Sequence, residues 1–241
     1  MDAASGVTKP ETAPGNSAAF SADSLAKLSA LMRKHRIPAG GHVFWEGEPA
    51  EYWYYLEHGH VKGMKTSAEG KEFTMYRYKQ GDFFGQLGFD GEPSQSFSAV
   101  AQTDCVISFI PRGELEFALW RFGGLALECI GWMSQMNRHT QTKLRDLMLY
   151  GKPGALCSTL IRMANTYGMP VDDGILITQR ITNSELAETI GAARESVNRL
   201  LADYRRAGAL SMRQGHIVVH DLEQLMQHCR CEGCPKEICR M

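Results

Sequence analysis

Thr182-Asn-Ser-Glu-Leu-Ala-Glu-Thr-Ile-Gly-Ala-Ala-Arg-Glu-Ser-Val-Asn-Arg-Leu-Leu201 is the stretch whose reading decides the fold. It reads as two short helices joined by a tight turn. Thr182 or Asn183 can cap the first helix, and Glu185 stands three residues after Thr182, the spacing of a capping box. Leu186, Ala187 and Ile190 make its buried face, with Ala187 small where two helices must meet closely. Gly191 sits at the turn, where a positive φ is easy only for glycine. Val197, Leu200 and Leu201 hold the second helix to the core, which leaves Arg194, Glu195, Asn198 and Arg199 outside, with Ser196 at the edge. Arginine can bond bidentately to guanine O6 and N7, and glutamate can accept from cytosine N4. Arg205 and Arg206 just beyond suit phosphates. A plain helical hairpin with solvated charges would need no such register. The pattern points to a helix-turn-helix that reads DNA.

Outward from it, Gly174–Arg180, Ala209–Met212 and His216–Val219 are short strand patterns, the wings of such a module. Ala155–Tyr167 is helical, with apolar Leu156, Leu160, Ile161 and Met163. Gly151-Lys152-Pro153-Gly154 reads as a hinge. The helical region before it, to about Leu149, carries Ala126, Ile130, Met133, Asn137, Thr140, Leu144 and Leu147 in a heptad-like stripe, a dimer seam. From Ile37 to Ile110 the pattern is short β runs with glycine turns: His42–Trp45, Trp53–Glu57, His60–Lys65, Glu72–Tyr78, Asp82–Gly85 and Cys105–Ile110. That pattern suggests an antiparallel barrel or roll. Ser21–His35 reads as a leading helix, and Met1–Ala19, rich in Ala, Ser, Thr, Pro and Gly, as unordered. The expected fold is α+β. It has an unordered segment at 1–20, an N-terminal antiparallel β-roll at 21–115, a long dimerisation helix at 116–150, a C-terminal winged helix-turn-helix at 151–226 and a cysteine-rich tail at 227–241.

The net charge of −1 means that a DNA-binding surface must come from local clustering of Arg and Lys. No apolar run is long enough to span a bilayer, and no basic start with an apolar core marks a secretory signal, so a cytoplasmic protein is expected, without a membrane partner. The eight histidines form no triad with a placed nucleophile, and no helix carries a His-x3-His pair with a carboxylate, so no enzyme is expected.

The seven cysteines divide sharply. Cys105, Cys129 and Cys157 are isolated among apolar neighbours and read as small core side chains. Cys229, Cys231, Cys234 and Cys239 crowd into a short polar tail, which asks for metal or redox chemistry. Cys231-x2-Cys234 can hold one metal or cluster, and Cys239 can close a third corner. A 4Fe–4S cluster fits, as does a structural zinc on Cys229, Cys231, Cys234 and Cys239 or His228, or a thiol–disulfide switch. Spacing alone does not choose.

A roll, a dimer helix and a winged helix-turn-helix, with Ala193-Arg-Glu-Ser-Val-Asn-Arg199 as second helix, resemble the CRP/FNR regulators from about residue 21 onward. The resemblance implies a cyclic-nucleotide-binding-like roll. It also implies a homodimer that binds a double-stranded, palindromic, TGTGA-like operator through Arg194, Glu195 and Arg199 and works with RNA polymerase. The enteric FNR branch carries valine at the position of Arg194. In cyclic-nucleotide-binding members a Glu holds the ribose and an Arg the phosphate. Here Gln86 stands at the Glu position and no arginine lies between Gly85 and Ala101, so no cyclic nucleotide is expected. The tail is similar to that of the Bacillus-type FNR branch. There three cysteines spaced as Cys231, Cys234 and Cys239 bind a 4Fe–4S cluster, one per subunit, with an aspartate after the dimer helix as fourth ligand. The local pattern puts Asp146 in that role and leaves Cys229 spare. On its own residues alone Asp146 reads as a solvated charge or a partner of Arg145 or Lys143. The implied protein is an oxygen-responsive regulator of anaerobic metabolism. The alternative is a CRP-like regulator with a structural zinc in its tail and an unknown small-molecule effector.

Overall fold

The computed structural model describes residues 14–88, 91 and 93–241. After the helix α1 (Ala22–Leu31), eight strands build the roll: β1 (Arg33–Ile37), β2 (His42–Phe44), β3 (Tyr52–His58), β4 (His60–Thr66), β5 (Glu72–Lys79), β6 (Phe83–Phe84), β7 (Ser98–Ala101) and β8 (Cys105–Pro111). They form two antiparallel sheets, ordered β1-β8-β3-β6 and β2-β7-β4-β5. Strand alternation sends Leu56 of β3 and Ile107 of β8 into the roll interior, whereas Trp53 and Ile110, three positions away, bury on the opposite face with residues of the helices. Helix α2 (Arg112–Arg121) leads into the long α3 (Gly123–Tyr167). A second antiparallel sheet unit, β11-β12-β10-β9, comprises β9 (Gly168–Val171), β10 (Gly174–Ile177), β11 (Leu210–Arg213) and β12 (His216–Val219). Between β10 and β11 lie α4 (Asn183–Thr189) and α5 (Arg194–Arg206), and α6 (Leu222–His228) precedes the tail. Among the described residues no helix is long and apolar enough to cross a membrane.

The predicted hinge is a break within α3. Gly151 has φ 56° and ψ −161°, outside helical space, and Pro153 follows it inside the helix. The chain thus turns without a loop, giving α3 a first and a second arm. On the first arm Leu127, Ile130, Met133, Leu144 and Met148 are exposed in the single chain. Ile130, Met133 and Leu144 belong to the predicted stripe, whereas Leu147 packs inward and Thr140 bonds the Tyr76 hydroxyl at 2.9 Å.

Several expectations are corrected. The leading helix stops at Leu31, because Arg33–Ile37 pairs with β8 from Arg33↔Phe109 to Ile37↔Cys105. That strand is an exposed sheet edge, so it lacks the buried alternation by which strands are read. β7 escapes notice because it is short and built of Ser, Ala and Val. The helical region after Pro111 is two helices, parted at Phe122 before Gly123-Gly124. Of the segment expected to be unordered, residues 1–13 lie outside the described residues, but Asn16–Ala19 is a 3-10 turn. Asn16 is buried there, donates from its side chain to Phe83 O at 2.9 Å and from its backbone to Asp82 Oδ1 at 2.7 Å. The tail is not free either. Cys229, Ile238, Arg240 and Met241 are all buried, which a tail judged too short and polar to bury its cysteines did not suggest.

Candidate functional site

The reading head forms as its caps and spacings dictate. The Thr182 side chain accepts from Glu185 N–H, and the Glu185 carboxylate accepts from Thr182 N–H at 2.8 Å, a complete capping box. Gly191 takes φ 59° at the turn. Leu186, Ala187, Ile190, Val197 and Leu201 are buried together in the core of the C-terminal domain. Arg194, Glu195, Asn198 and Arg199 are exposed on α5, and Ser196 is half-buried at its edge. Arg194 opens the helix and Glu195 lies in its first turn, so both project from the end that an approaching groove would meet. Asn198 Oδ1 accepts from Asn183, which ties the outer face of α5 to the start of α4.

The tail gathers the second set of predicted residues. Cys231, Cys234 and Cys239 are free and half-buried. Cys231 N–H is fixed to Met226 O at 2.8 Å, and Cys239 N–H to Pro235 O at 2.8 Å. Burial pushes the Cys239 thiol up, the Arg162 guanidinium draws it down, and charge on Cys231 and Cys234 pushes it up again. Cys229 is different: burial, with the charges of Cys231, Cys157 and Asp146, pushes its thiol up to about 12. It packs in the core and keeps its proton, consistent with a spare cysteine. Among the described residues no three His, Cys, Asp or Glu side chains converge tightly enough to hold a single metal ion. A four-iron cluster takes one ligand per iron, so its thiolates need not converge on one point. Half-buried thiols beside arginines suit a cluster whose thiolate ligands make it anionic.

Asp146 is not a solvated charge. Its side chain is 1% exposed. Arg145 donates to Oδ1 through Nε at 3.2 Å and Nη2 at 2.8 Å, and Arg162 Nη2 donates to Oδ2 at 2.7 Å. The Ser158 hydroxyl donates to the same oxygen. Arg145 also reaches Glu232, between Cys231 and Cys234, at 2.6 Å. The hinge helix and the cysteine loop are thus joined through one guanidinium.

The end of the tail reaches further. Asn165 Nδ2 donates to Cys239 O at 2.9 Å, and Met241 N–H donates to Thr166 Oγ1 at 3.0 Å, both on the second arm of α3. His139 Nε2 on the first arm contacts Arg240 O at 2.9 Å. Arg240 Nη2 pairs with Asp82 Oδ2 of the roll at 2.7 Å. Lys143, half-buried with its ammonium on Met75 O at 2.7 Å, lies in this same seam. Burial, then Arg162 and Arg77, push its pKa down to about 7. The reading head also touches the roll directly, through Lys62–Glu188 at 3.3 Å and Arg77–Glu185 at 3.4 Å.

Sequence reasoning offered Arg145 as a partner of Asp146, which it is, and passed over Ser158, Arg162, Glu232, Asp82 and Arg240. One signal was present. Arg162 stands in the middle of Leu160-Ile-Arg-Met163, a charge where the helix is otherwise apolar. In the roll, the cavity beside α3 has a volume of about 170 Å³ and is lined by Tyr76, Tyr78, Phe97, Trp132 and Met136, with Gln86 at its polar end. Gln86 is spoken for: its N–H bonds Gln95 Oε1 at 3.0 Å, and its Oε1 accepts from Ser96 at 3.0 Å.

Comparison with known proteins agrees with this anatomy. Residues 34–120 match the family model described as a cyclic nucleotide-binding domain, and residues 154–228 match the Crp-like helix-turn-helix domain. The chain is 39% identical over 230 residues to the "Anaerobic regulatory protein" of Bacillus subtilis, covering 95% of this chain and 97% of the relative. It is 31% identical to the "Global nitrogen regulator" of Synechocystis, over 77% of this chain and 83% of that one. The solved structure of FixK2 from Bradyrhizobium japonicum superposes with a TM-score of 0.71 at 21% identity, covering 81% of this chain and 96% of the other, a likeness of fold.

Proposed function

The chain belongs to the CRP/FNR family of DNA-binding transcription regulators, and from that premise we propose that it is an oxygen-responsive dimer controlled by a 4Fe–4S cluster on Cys231, Cys234, Cys239 and Asp146. The family is one of regulators, not of enzymes. Its operator is a TGTGA-like palindrome, read by Arg194, Glu195 and Arg199 with Ser196 and Asn198 alongside, the two half-sites about one helical turn apart. The exposed Ile130, Met133 and Leu144 on α3 support a homodimer, since a second copy of the same stripe would cover them. RNA polymerase is the partner at the promoter, and the genes served are those of anaerobic metabolism, as the name of the Bacillus relative suggests.

The observation that carries this reading is the bridge Glu232–Arg145–Asp146, which brings the cysteine loop to a carboxylate beside the hinge. When bound, the cluster supplies an oxygen-labile cross-link. The chain's own residues do the rest. Asp146 sits five residues before Gly151, so anything that fixes it to the tail restrains the angle between the arms of α3. Arg240 and Met241 extend that restraint to Asp82 and Thr166. The hinge is the element with two states, and only contacts that differ between them can bias it.

The test is direct. Protein purified without oxygen is scanned in the visible and assayed for iron, sulfide and zinc. A brown protein with iron and sulfide in equal amounts, which loses colour and operator affinity in air, is expected. A colourless protein with one zinc per chain refutes oxygen sensing and leaves DNA binding in place. Asp146→Ala that retains full cluster content and anaerobic affinity refutes the fourth ligand.

A further inference from the structure

Asp146 has a full set of partners before any iron arrives. Arg145 holds Oδ1, while Arg162 and Ser158 share Oδ2, and Arg162 Nη1 also donates to Ser158 Oγ at 2.5 Å. A buried carboxylate this well bonded resists extraction. Yet the group is not an isolated structural pair. Arg145 is anchored on Glu232 in the cysteine loop, and the charge of Arg162 is felt at Cys239.

We propose that Ser158 and Arg162 form a resting site for the Asp146 carboxylate that competes with iron for it, so that these two residues set how readily the fourth ligand lets go. The proposal rests on the cluster reading above. The step is a ligand exchange with no change of oxidation state. Oδ2 would give up the hydrogen bonds from Arg162 Nη2 and Ser158 Oγ and take the place of a water on iron, which leaves to solvent. No proton moves, because the guanidinium stays charged throughout. Arg145 can keep its two bonds to Oδ1 while its Nη1 stays on Glu232, in the loop that carries Cys231 and Cys234. Arg162, once released, remains beside Cys239, where its charge offsets that of the ligating thiolate. An oxygen ligand among soft thiolates is the weak member of the set. A competitor for it therefore shifts the balance in a way that a competitor for a cysteine would not. Ser158 and Arg162 are positioning residues in this scheme; neither touches iron.

The decisive variant is Ser158→Ala, which removes one donor from the resting site and leaves both arginines. Full-length protein is loaded anaerobically with ferrous iron and sulfide, then exposed to air-saturated buffer while the visible absorbance is followed. Loss of colour should slow about tenfold, the weight of one hydrogen bond to a charged group. Arg162→Lys should slow it similarly, since an ammonium cannot reproduce the fork. In an Asp146→Cys background the Ser158→Ala change should leave the lifetime unaltered. Metal-free Ser158→Ala should melt below the metal-free parent, because there the resting site is the only home of the carboxylate. If Arg162→Lys fails to fold, Ser158→Ala alone decides. Equal lifetimes for Ser158→Ala and the parent overturn the exchange, as does equal slowing in the Asp146→Cys background. A parent protein that takes up no iron overturns the cluster reading and the exchange together. Normal loading with an unchanged Ser158→Ala lifetime overturns the exchange alone.

Discussion

Asp82→Asn isolates what the last two residues of the chain contribute. Asp82 is 1% exposed and takes hydrogen bonds from Asn16 N–H at 2.7 Å, Lys79 N–H at 2.8 Å and Arg240 Nη2 at 2.7 Å. Arg240 is equally buried, and its Nε and Nη1 find no partner among the described residues. Removing the charge of Asp82 strands that guanidinium, which costs about 3–5 kcal/mol if the tail stays in place. The tail can instead leave. Docking buries Ile238 and Met241, worth about 1.5–3 kcal/mol each. It also makes three further hydrogen bonds, from Asn165, His139 and to Thr166, of about 1 kcal/mol each. Ordering residues 238–241 opposes this by about 1–2 kcal/mol per residue. The net docking energy is thus about 2 kcal/mol, less than the cost of a stranded charge, so the tail should undock. Urea unfolding of the metal-free protein at fixed concentration should show a loss of about 2 kcal/mol. Hydrogen exchange should show the amides of Cys239, Arg240 and Met241 losing protection. The same substitution in a chain lacking Arg240 and Met241 should cost only one of the two backbone bonds from Asn16 and Lys79, about 1 kcal/mol, since the amide keeps a single acceptor oxygen. Wild-type unfolding and wild-type tail protection in Asp82→Asn would refute the reasoning, as would a loss above about 4 kcal/mol with the tail still protected.

Four other outcomes follow from the geometry. Arg194→Ala should weaken operator binding by about 1–3 kcal/mol and relax selectivity at a single guanine, measured by fluorescence anisotropy on operators varied one base at a time. Gly191→Ala meets only Phe73 ring carbons at 3.9 Å, so its cost is the positive φ alone, about 1–2 kcal/mol, read as a melting point a few degrees lower. Lys143, with its pKa near 7, binds fewer protons folded than unfolded between about pH 7 and its unfolded value near 10.4. Stability should therefore rise with pH across that window, and Lys143→Met should flatten the rise in urea titrations. Leu144→Glu places a charge on the exposed stripe of α3 and should give monomers in sedimentation velocity, with operator affinity lost alongside.

What could be read from sequence was local. The reading head announced itself because its cap, its glycine and its apolar spacing all lie within twenty residues, and each has a mechanism. The hinge was equally plain in Gly151 and Pro153. Elements defined by what they pair with were harder. β1 is a polar edge that exists because β8 is beside it, and β7 is a run of small residues filling a sheet. The candidate cluster site divides the same way. Three cysteines in a tail are visible at once, whereas Asp146 looked like any surface aspartate and was singled out only by family likeness. Its burial depends on Arg162, sixteen positions along and across a break in the helix. The Asp82–Arg240 pair, 158 positions apart, had no signal in either segment alone.

The apolar cores suggest why a tail should govern a regulator of this build. One core gathers residues of the second arm of α3, α4, α5, the wing, α6 and the tail, with Cys229 and Met241 among them. The others gather the roll, α1, α2 and the first arm. The two bodies meet through charge: Lys62–Glu188, Arg77–Glu185, Asp146–Arg162 across the break in α3, and Arg240–Asp82. The first two pairs are partly exposed and worth at most about 1 kcal/mol each, since water replaces what separation removes. An apolar seam would lose its burial outright and could not open so cheaply. The buried pairs Asp146–Arg162 and Arg240–Asp82 are the exceptions, and the second belongs to the tail. The tail is thus built into the core of the reading-head body at Cys229 and held to the other body at its tip, by the Arg240–Asp82 ion pair and the contact of His139 with Arg240 O. Whatever moves the loop between Cys231 and Cys239 acts on both strongly held links between the bodies, through Arg145 beside Asp146 and through Arg240 at the tip. A few kcal/mol applied there is enough to shift the populations of a hinge.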